Sequence, residues 1–169
     1  MENLWSTWRS QYIESFIKKP EEQEGCIFCR AASESPEDQD SLVIRKSKFT
    51  LTIMNLYPYN NGHLMVVPYR HLSRITDLTP EEKAEIMDEI DLAVQALTLI
   101  AKPDGFNIGA NIGKVSGAGI ADHIHYHIVP RWNGDTNFMP VLGQVKVISQ
   151  DLMHTKVRLL EAYTQLNKK

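Results

Sequence analysis

Ala121-Asp122-His123-Ile124-His125-Tyr126-His127-Ile128-Val129-Pro130 decides how the chain is read. Three of the protein's six histidines stand here, at every second position. A strand has a side-chain period of two, so His123, His125 and His127 line one face and Ile124, Tyr126 and Ile128 the other. A helix would scatter the three rings through about 400° in total, so the spacing suits a strand alone. Gly117-Ala118-Gly119 upstream is permissive enough for a tight turn with free backbone N–H groups. Downstream, Pro130 is expected to end the strand.

Working outward, Thr79-Pro80-Glu81-Glu82 opens a long helix. It places a capping residue, a proline at the first helical position and a glutamate three residues after the cap. Apolar residues recur at Met87, Ile90, Val94, Leu97 and Ala101, with Ile86, Ala93 and Ile100 widening the stripe, and Pro103 and Gly105 stop it. Before the helix, Leu42–Arg45 and Phe49–Met54 read as a hairpin turning at Lys46-Ser47-Lys48, and His63–Pro68 as a third, strongly apolar strand. Phe106–Ile112 is expected to be a fourth strand and the histidine strand a fifth. Asp151–Leu166 reads as a C-terminal helix with Leu152, Leu159, Leu160 and Tyr163 inward. Residues 19–41, apart from Cys26 to Cys29, and residues 133–148 read as irregular. The expected class is α+β with a largely antiparallel five-stranded sheet.

The N-terminal stretch Leu4–Lys18 carries Trp5, Trp8, Tyr12 and Phe16 at helical spacing, with Ile13 and Ile17 alongside. It reads as an amphipathic arm that packs either on its own core or on a partner subunit. The whole chain has 169 residues, which suits one domain, or a domain with an arm, able to bury a real core. A net charge of −3 argues against broad nucleic-acid binding, which needs a basic surface. No apolar run approaches a bilayer span and no signal peptide is visible, so the expected compartment is the cytoplasm.

The only cysteines are Cys26 and Cys29. In a reducing compartment, Cys-x-x-Cys is a zinc half-site or a redox pair. A redox pair of the thioredoxin kind opens a helix after a strand, whereas here Gly25 precedes and a polar stretch follows.

Three imidazoles on one face can ligate a metal or work on phosphate. In barrel enzymes a pair of strand histidines binds metal with a downstream carboxylate, but no Asp or Glu follows His127 until Asp135. Three histidines satisfied inside a core would be costly to bury as a row. An isolated histidine such as His154 reads as a surface residue. Phosphate chemistry fits more of the chain. A neutral imidazole is a good nucleophile near neutral pH, its neighbours can donate to phosphate oxygens, and the glycine turn can add backbone N–H groups.

His123-Ile-His125-Tyr-His127-Ile-Val resembles the histidine triad (HIT) motif of nucleotide hydrolases and transferases. Asn60-Asn61-Gly62-His63-Leu-Met-Val-Val-Pro68 is similar to the family's glycine-histidine strand, and Gly117-Ala118-Gly119 sits where its phosphate-binding loop lies. The resemblance runs from about Gly25 to the end, which implies an N-terminal helical arm over residues 1–24 and a single HIT domain over 25–169. Trp132-Asn133-Gly134-Asp135-Thr136-Asn137-Phe138, together with the Leu4-Trp5-Ser6-Thr7-Trp8-Arg9 arm, resembles the bacterial branch that includes diadenosine tetraphosphate phosphorylases.

The resemblance implies roles. His125 attacks the α-phosphorus and forms a nucleotidyl-histidine intermediate; His127 polarises phosphate oxygens and aids the leaving group. His123 orients the nucleophile, and His63 acts as a partner behind the triad. Asn55 matches a sugar-contacting position. Asn111 and Trp132 match phosphate-side positions, with Trp132 walling the side from which the acceptor arrives. Gly119 stands where many members carry a glutamine or serine that donates to phosphate. In zinc-bearing members a Cys-x-x-Cys pair joins two histidines. Cys26, Cys29, His71 and His123 fit that pattern as a closed, structural site. The implied substrate is a dinucleoside polyphosphate, with phosphate or water as acceptor; a nucleoside phosphoramidase and a slowly turning nucleotide-binding regulatory module are the alternatives. No organic cofactor, nucleic acid or membrane is expected, and the chain is expected to form a homodimer or homotetramer.

Overall fold

The computed structural model describes residues 25–136 and 151–168. The expected arm over residues 1–24 and most of the stretch 133–148 lie outside the described residues. Among those described, five strands form one antiparallel sheet: β1 (Val43–Lys46), β2 (Thr50–Met54), β3 (Leu64–Pro68), β4 (Gly105–Gly109) and β5 (Tyr126–Arg131), in the order β1-β2-β3-β5-β4. Helices α1 (Ile27–Ala31), α2 (Pro80–Ala101) and α3 (Leu152–Leu166) complete the α+β fold.

Strands β2 and β3 at the centre of the sheet are buried on both faces. Val66 pairs with Tyr126 in the register, and Leu64 with Ile128. These side chains meet Ile86, Ile90, Ala93 and Leu97 of α2 and Leu159 and Tyr163 of α3. Met65 pairs with His127 and therefore points to the opposite face, where Val43, Leu51, Ile53 and Val67 meet Phe28 and Ala31 of α1. The triad face is thus the α1 face. The alternation expected of the histidine strand holds, because Tyr126 and Ile128 join the helix-side core.

Helix α2 starts as expected. Thr79 accepts from the Glu82 N–H at 3.2 Å, and the Glu82 carboxylate accepts from the Thr79 N–H at 2.8 Å. Its end differs in detail: Lys102 takes the left-handed conformation at φ 44°, and the Pro103–Gly105 stop follows one residue later. The buried stripe is Ile86, Ile90, Ala93, Ala96 and Leu97, whereas Met87 faces solvent at 62% exposure. Helix α3 is capped by Asp151, which accepts from the His154 N–H, and His154 itself is exposed.

Four expectations need correction. Pro130 does not end β5; it lies inside it, opposite Phe106. The β3 ladder stops at Leu64↔Ile128, so the β3 side of Pro130 has no strand, and a missing N–H there costs no ladder bond. Asn60 occupies that side, donating to Pro130 O at 3.0 Å. The fourth strand is shorter than expected, ending at Gly109 rather than Ile112. Arg30 and Ala31, in the stretch read as irregular, are helical: a short helix opens right after Cys26 and runs to Ala31, with the Arg30 N–H on Cys26 O at 3.1 Å. Five residues are too few for a 3.6-residue period to show. Finally, hydrogen-bonded pairing of β5 begins only at Tyr126, and the Ile124 N–H turns to Leu72 O at 2.7 Å.

Candidate active site and metal centre

The hairpin loop between β2 and β3 builds one half of the site. It closes with the Asn55 N–H on His63 O at 3.0 Å. Gly62 sits at φ 75°, and a Cβ there would come within 2.9 Å of Leu97 Cδ2, so glycine is required by both backbone and packing. His63, 1% exposed, thereby faces β5.

Hydrogen bonds fix the tautomers of the histidines. His63 Nδ1 accepts from the Tyr59 N–H at 3.0 Å and lies 3.2 Å from Asn55 Nδ2. Neutral His63 therefore carries its proton on Nε2 and donates it to His127 Nδ1 at 2.9 Å. His127 in turn carries its proton on Nε2, a buried donor with no partner among the described residues. His125 Nδ1 donates to the backbone carbonyl of His123 at 2.8 Å, which leaves Nε2 with its lone pair. The His125 and His127 rings are 4.9 Å apart. One nucleophilic nitrogen and one N–H donor thus stand side by side.

Burial keeps both rings neutral. It lowers the His125 pKa, partly offset by the bond to His123 O. It lowers that of His127 further, to about 4, with the nearness of His125 adding to the effect. The cost of burying the row is met by partners on the inner nitrogens of each ring, which is why three buried histidines are tolerated here.

His123 belongs to a different centre. Its Nε2 donates to Pro68 O at 2.8 Å, so Nδ1 is the free lone pair. That Nδ1 lies 3.2 Å from Cys26 Sγ and 3.7 Å from Cys29 Sγ, and His71 Nδ1 lies 3.4 Å from Cys29 Sγ. The four ligand atoms all lie within 4.8 Å of one another. Tetrahedral zinc with two sulfur and two nitrogen ligands has edges of roughly 3.3–3.8 Å, and the three Sγ···Nδ1 separations of 3.2, 3.4 and 3.7 Å are of that size. The His123–Pro68 bond is an outer contact of the kind that would orient a ligating imidazole. A zinc ion held by all four residues would have no open coordination site.

Phe28, between the two cysteines, links the two centres. It is 1% exposed, with its ring 5.5 Å from His123 and 4.9 Å from His125. Sequence reasoning missed Phe28, Pro68 O and the Tyr59 N–H. Only Phe28 left a signal there, as an aromatic inside Cys-x-x-Cys.

The other expected site residues are placed unevenly. The Asn55 side chain is engaged inside the loop, with Oδ1 on the Tyr57 N–H at 3.0 Å. Asn111 lies two residues beyond Gly109, which pairs with His127. Ala118 and Gly119 line a cavity of about 540 Å³ together with Cys26, His71, Lys114 and Asp122, and Gly117 turns the loop at φ 85°. Trp132 is not brought to its own chain's triad. Five residues of strand separate it from His127, roughly 16 Å, and its Nε1–H donates to Ala101 O at the end of α2, at 3.2 Å.

Comparisons with known proteins agree with this geometry. A diadenosine tetraphosphate (AP-4-A) phosphorylase of Mycobacterium tuberculosis is 40% identical over 162 residues, covering 95% of this chain and 83% of that protein. A bis(5'-nucleosyl)-tetraphosphatase (asymmetrical) of Schizosaccharomyces pombe is 32% identical over 95 residues, covering 56% of this chain and 52% of that protein. Among solved structures, a zinc-bound histidine triad family protein from Mycobacterium smegmatis superposes with a TM-score of 0.68 at 28% identity, covering 85% of this chain and 96% of that one. The HIT domain model matches residues 36–134. Fold, triad and match together place the chain in the HIT domain family, as a nucleotide-processing enzyme.

Proposed function

We propose that this enzyme cleaves dinucleoside polyphosphates through a nucleotidyl-histidine intermediate. The observation that carries the reading is the paired state of the two central histidines: His125 Nε2 free to attack, and His127 Nε2–H free to donate, 4.9 Å apart by ring centres. His125 Nε2 bonds to the α-phosphorus as the bridging P–O bond breaks. His127 donates to the phosphate oxygens and to the leaving oxygen. His123 positions His125 through its backbone carbonyl, and His63 holds the His127 tautomer. The relative named as an AP-4-A phosphorylase supports diadenosine tetraphosphate as substrate and inorganic phosphate as acceptor.

The glycine turn Gly117-Ala118-Gly119 and Asn111 are the proposed phosphate contacts. Asn55 acts mainly by holding His63. Trp132 could meet acceptor phosphate only across a subunit contact. Zinc held by Cys26, Cys29, His71 and His123 would supply a structural cross-link and no reaction step. The outer edge of β4, where Ile108 is 49% exposed, supports assembly into a homodimer or homotetramer.

Product analysis with and without inorganic phosphate tests the reading. Phosphorolysis converts diadenosine tetraphosphate and phosphate to ADP and ATP. Hydrolysis gives AMP and ATP. AMP as the main product at millimolar phosphate would make this enzyme a hydrolase, and no turnover at all would leave a binding module.

A further inference from the structure

The four rings in contact run Phe28, His125, His127, Tyr59, and the two ends of this row differ. Phe28 is sealed inside the α1-side core at 1% exposure. Tyr59 is 48% exposed, yet its ring stacks on His127 at 5.4 Å with an interplanar angle of 29° and lies 4.6 Å from His63. An aromatic half open to water is ordinarily a mobile side chain, but the loop under this one is locked. Its own N–H is bonded to His63. The next residue, Asn60, is 6% exposed and donates to Pro130 O at 3.0 Å and to the Asp135 carboxylate at 2.8 Å. The backbone beneath the ring is therefore held in place, and the ring presents an aromatic face beside the buried His127 N–H donor.

We propose that Tyr59 is a specificity-determining residue whose open ring face receives the base of the leaving nucleotide. The inference rests on the function proposed above. With the α-phosphorus at His125, the rest of the substrate leaves past His127, and the ring stands on that side of the row. A neutral ring gives a phosphate no charge to bind, whereas every nucleobase offers a π-face to stack on. A preorganised platform also loses little conformational freedom on binding. Tyr59 would thus favour substrates with a nucleoside at both ends over those ending in bare phosphate.

The test compares wild type, Tyr59→Ala, Tyr59→Leu and Tyr59→Phe on diadenosine tetraphosphate and on adenosine 5'-tetraphosphate. The two compounds share the reacting end and differ in the second nucleoside. The expected result is a KM for the dinucleotide raised about tenfold in the Ala variant, with kcat and the adenosine tetraphosphate kinetics changed less than about twofold. The Phe variant should match wild type, and the Leu variant, which still covers His127 but has no π-face, should fall near Ala. Equal losses on both compounds would show a ring that only packs on His127, and no change on either would also overturn the inference. If wild type turns over neither compound, the functional reading fails. Calorimetric binding of a methylene-bridged diadenosine tetraphosphate against ATP then decides the Tyr59 inference by the same Ala-to-Phe contrast.

Discussion

His123 and His127 stand four residues apart, one before β5 and one in it, and their neighbours tie down different ring nitrogens. At the metal end, His123 has Nε2 on Pro68 O and offers Nδ1 to two thiols. At the reaction end, His127 has Nδ1 on His63 and offers Nε2–H to the site. His125, between them, takes its orientation from the metal end through His123 O and its donor neighbour from the reaction end. Under the proposed function the same side chain would serve as ligand, nucleophile or acid according to which nitrogen a neighbour ties down. The two ends are joined by one backbone carbonyl and by Phe28, so they should be separable by mutation.

The largest expected effect lies at the junction. His125→Ala should cut turnover by roughly 10⁴-fold or more with the fold intact, about 5 kcal/mol of barrier. Mass spectrometry of protein quenched during turnover should show the nucleotidyl adduct in wild type and not in the variant. Near-normal kcat in a preparation free of contaminating enzyme would end the triad argument. Next comes the reaction end. His127→Gln should slow turnover by roughly 10²- to 10³-fold, because a positioned acid is lost while the nucleophile remains. The adduct should still form. A His127 variant that lost zinc would show that the two ends are not independent.

The metal end should give the converse pattern. Cys26→Ser should release zinc and lower the melting temperature by on the order of 10 °C, while activity measured in the cold falls only several-fold. Elemental analysis of wild type purified without chelator should give about one zinc per chain. Stoichiometry near zero, with no loss of stability in the variant, would return the thiols to ordinary packing. Loss of turnover as deep as in His125→Ala would mean that Phe28 and the His123 carbonyl transmit more than position.

Most of the strand-level design was legible because its signals are periodic. The alternation of His123, His125 and His127 with Ile124, Tyr126 and Ile128 named both the strand and its two faces. Thr79-Pro80-Glu81-Glu82 marked the start of α2. The metal set could be assembled only through resemblance, since His71 and His123 lie far from Cys26 in the chain and spacing alone could not join them. Contacts made by backbone atoms left no sequence signal: the Tyr59 N–H and the carbonyls of His123 and Pro68 act whatever the side chains at those positions do. Pro130 misled because its tolerance depends on where the β3 ladder stops, which is a matter of register rather than of local pattern. Trp132 misled because proximity in sequence to a triad strand becomes distance once that strand is extended.

The smallest expected effect is on stability, and it vanishes at neutral pH. Burial holds the folded His127 pKa down to about 4, against about 6.5 for an exposed histidine. Between those values the unfolded chain binds a proton at this imidazole and the native chain does not, so native stability rises with pH across the window. As pH falls from about 6.5 to about 4, His127 should therefore remove up to about 3 kcal/mol, and below that the loss should level off because both states are protonated. Acid also protonates metal ligands, so wild type alone cannot isolate this contribution. The difference in unfolding free energy between zinc-loaded wild type and zinc-loaded His127→Gln can, since both share the metal end. That difference should shift against wild type as pH falls from 7 to 4, by the amount His127 contributes, and stay flat from 7 to 8. A difference independent of pH across the whole range would mean that His127 titrates alike in the native and unfolded chains, and that its site is open to water rather than held dry for phosphate.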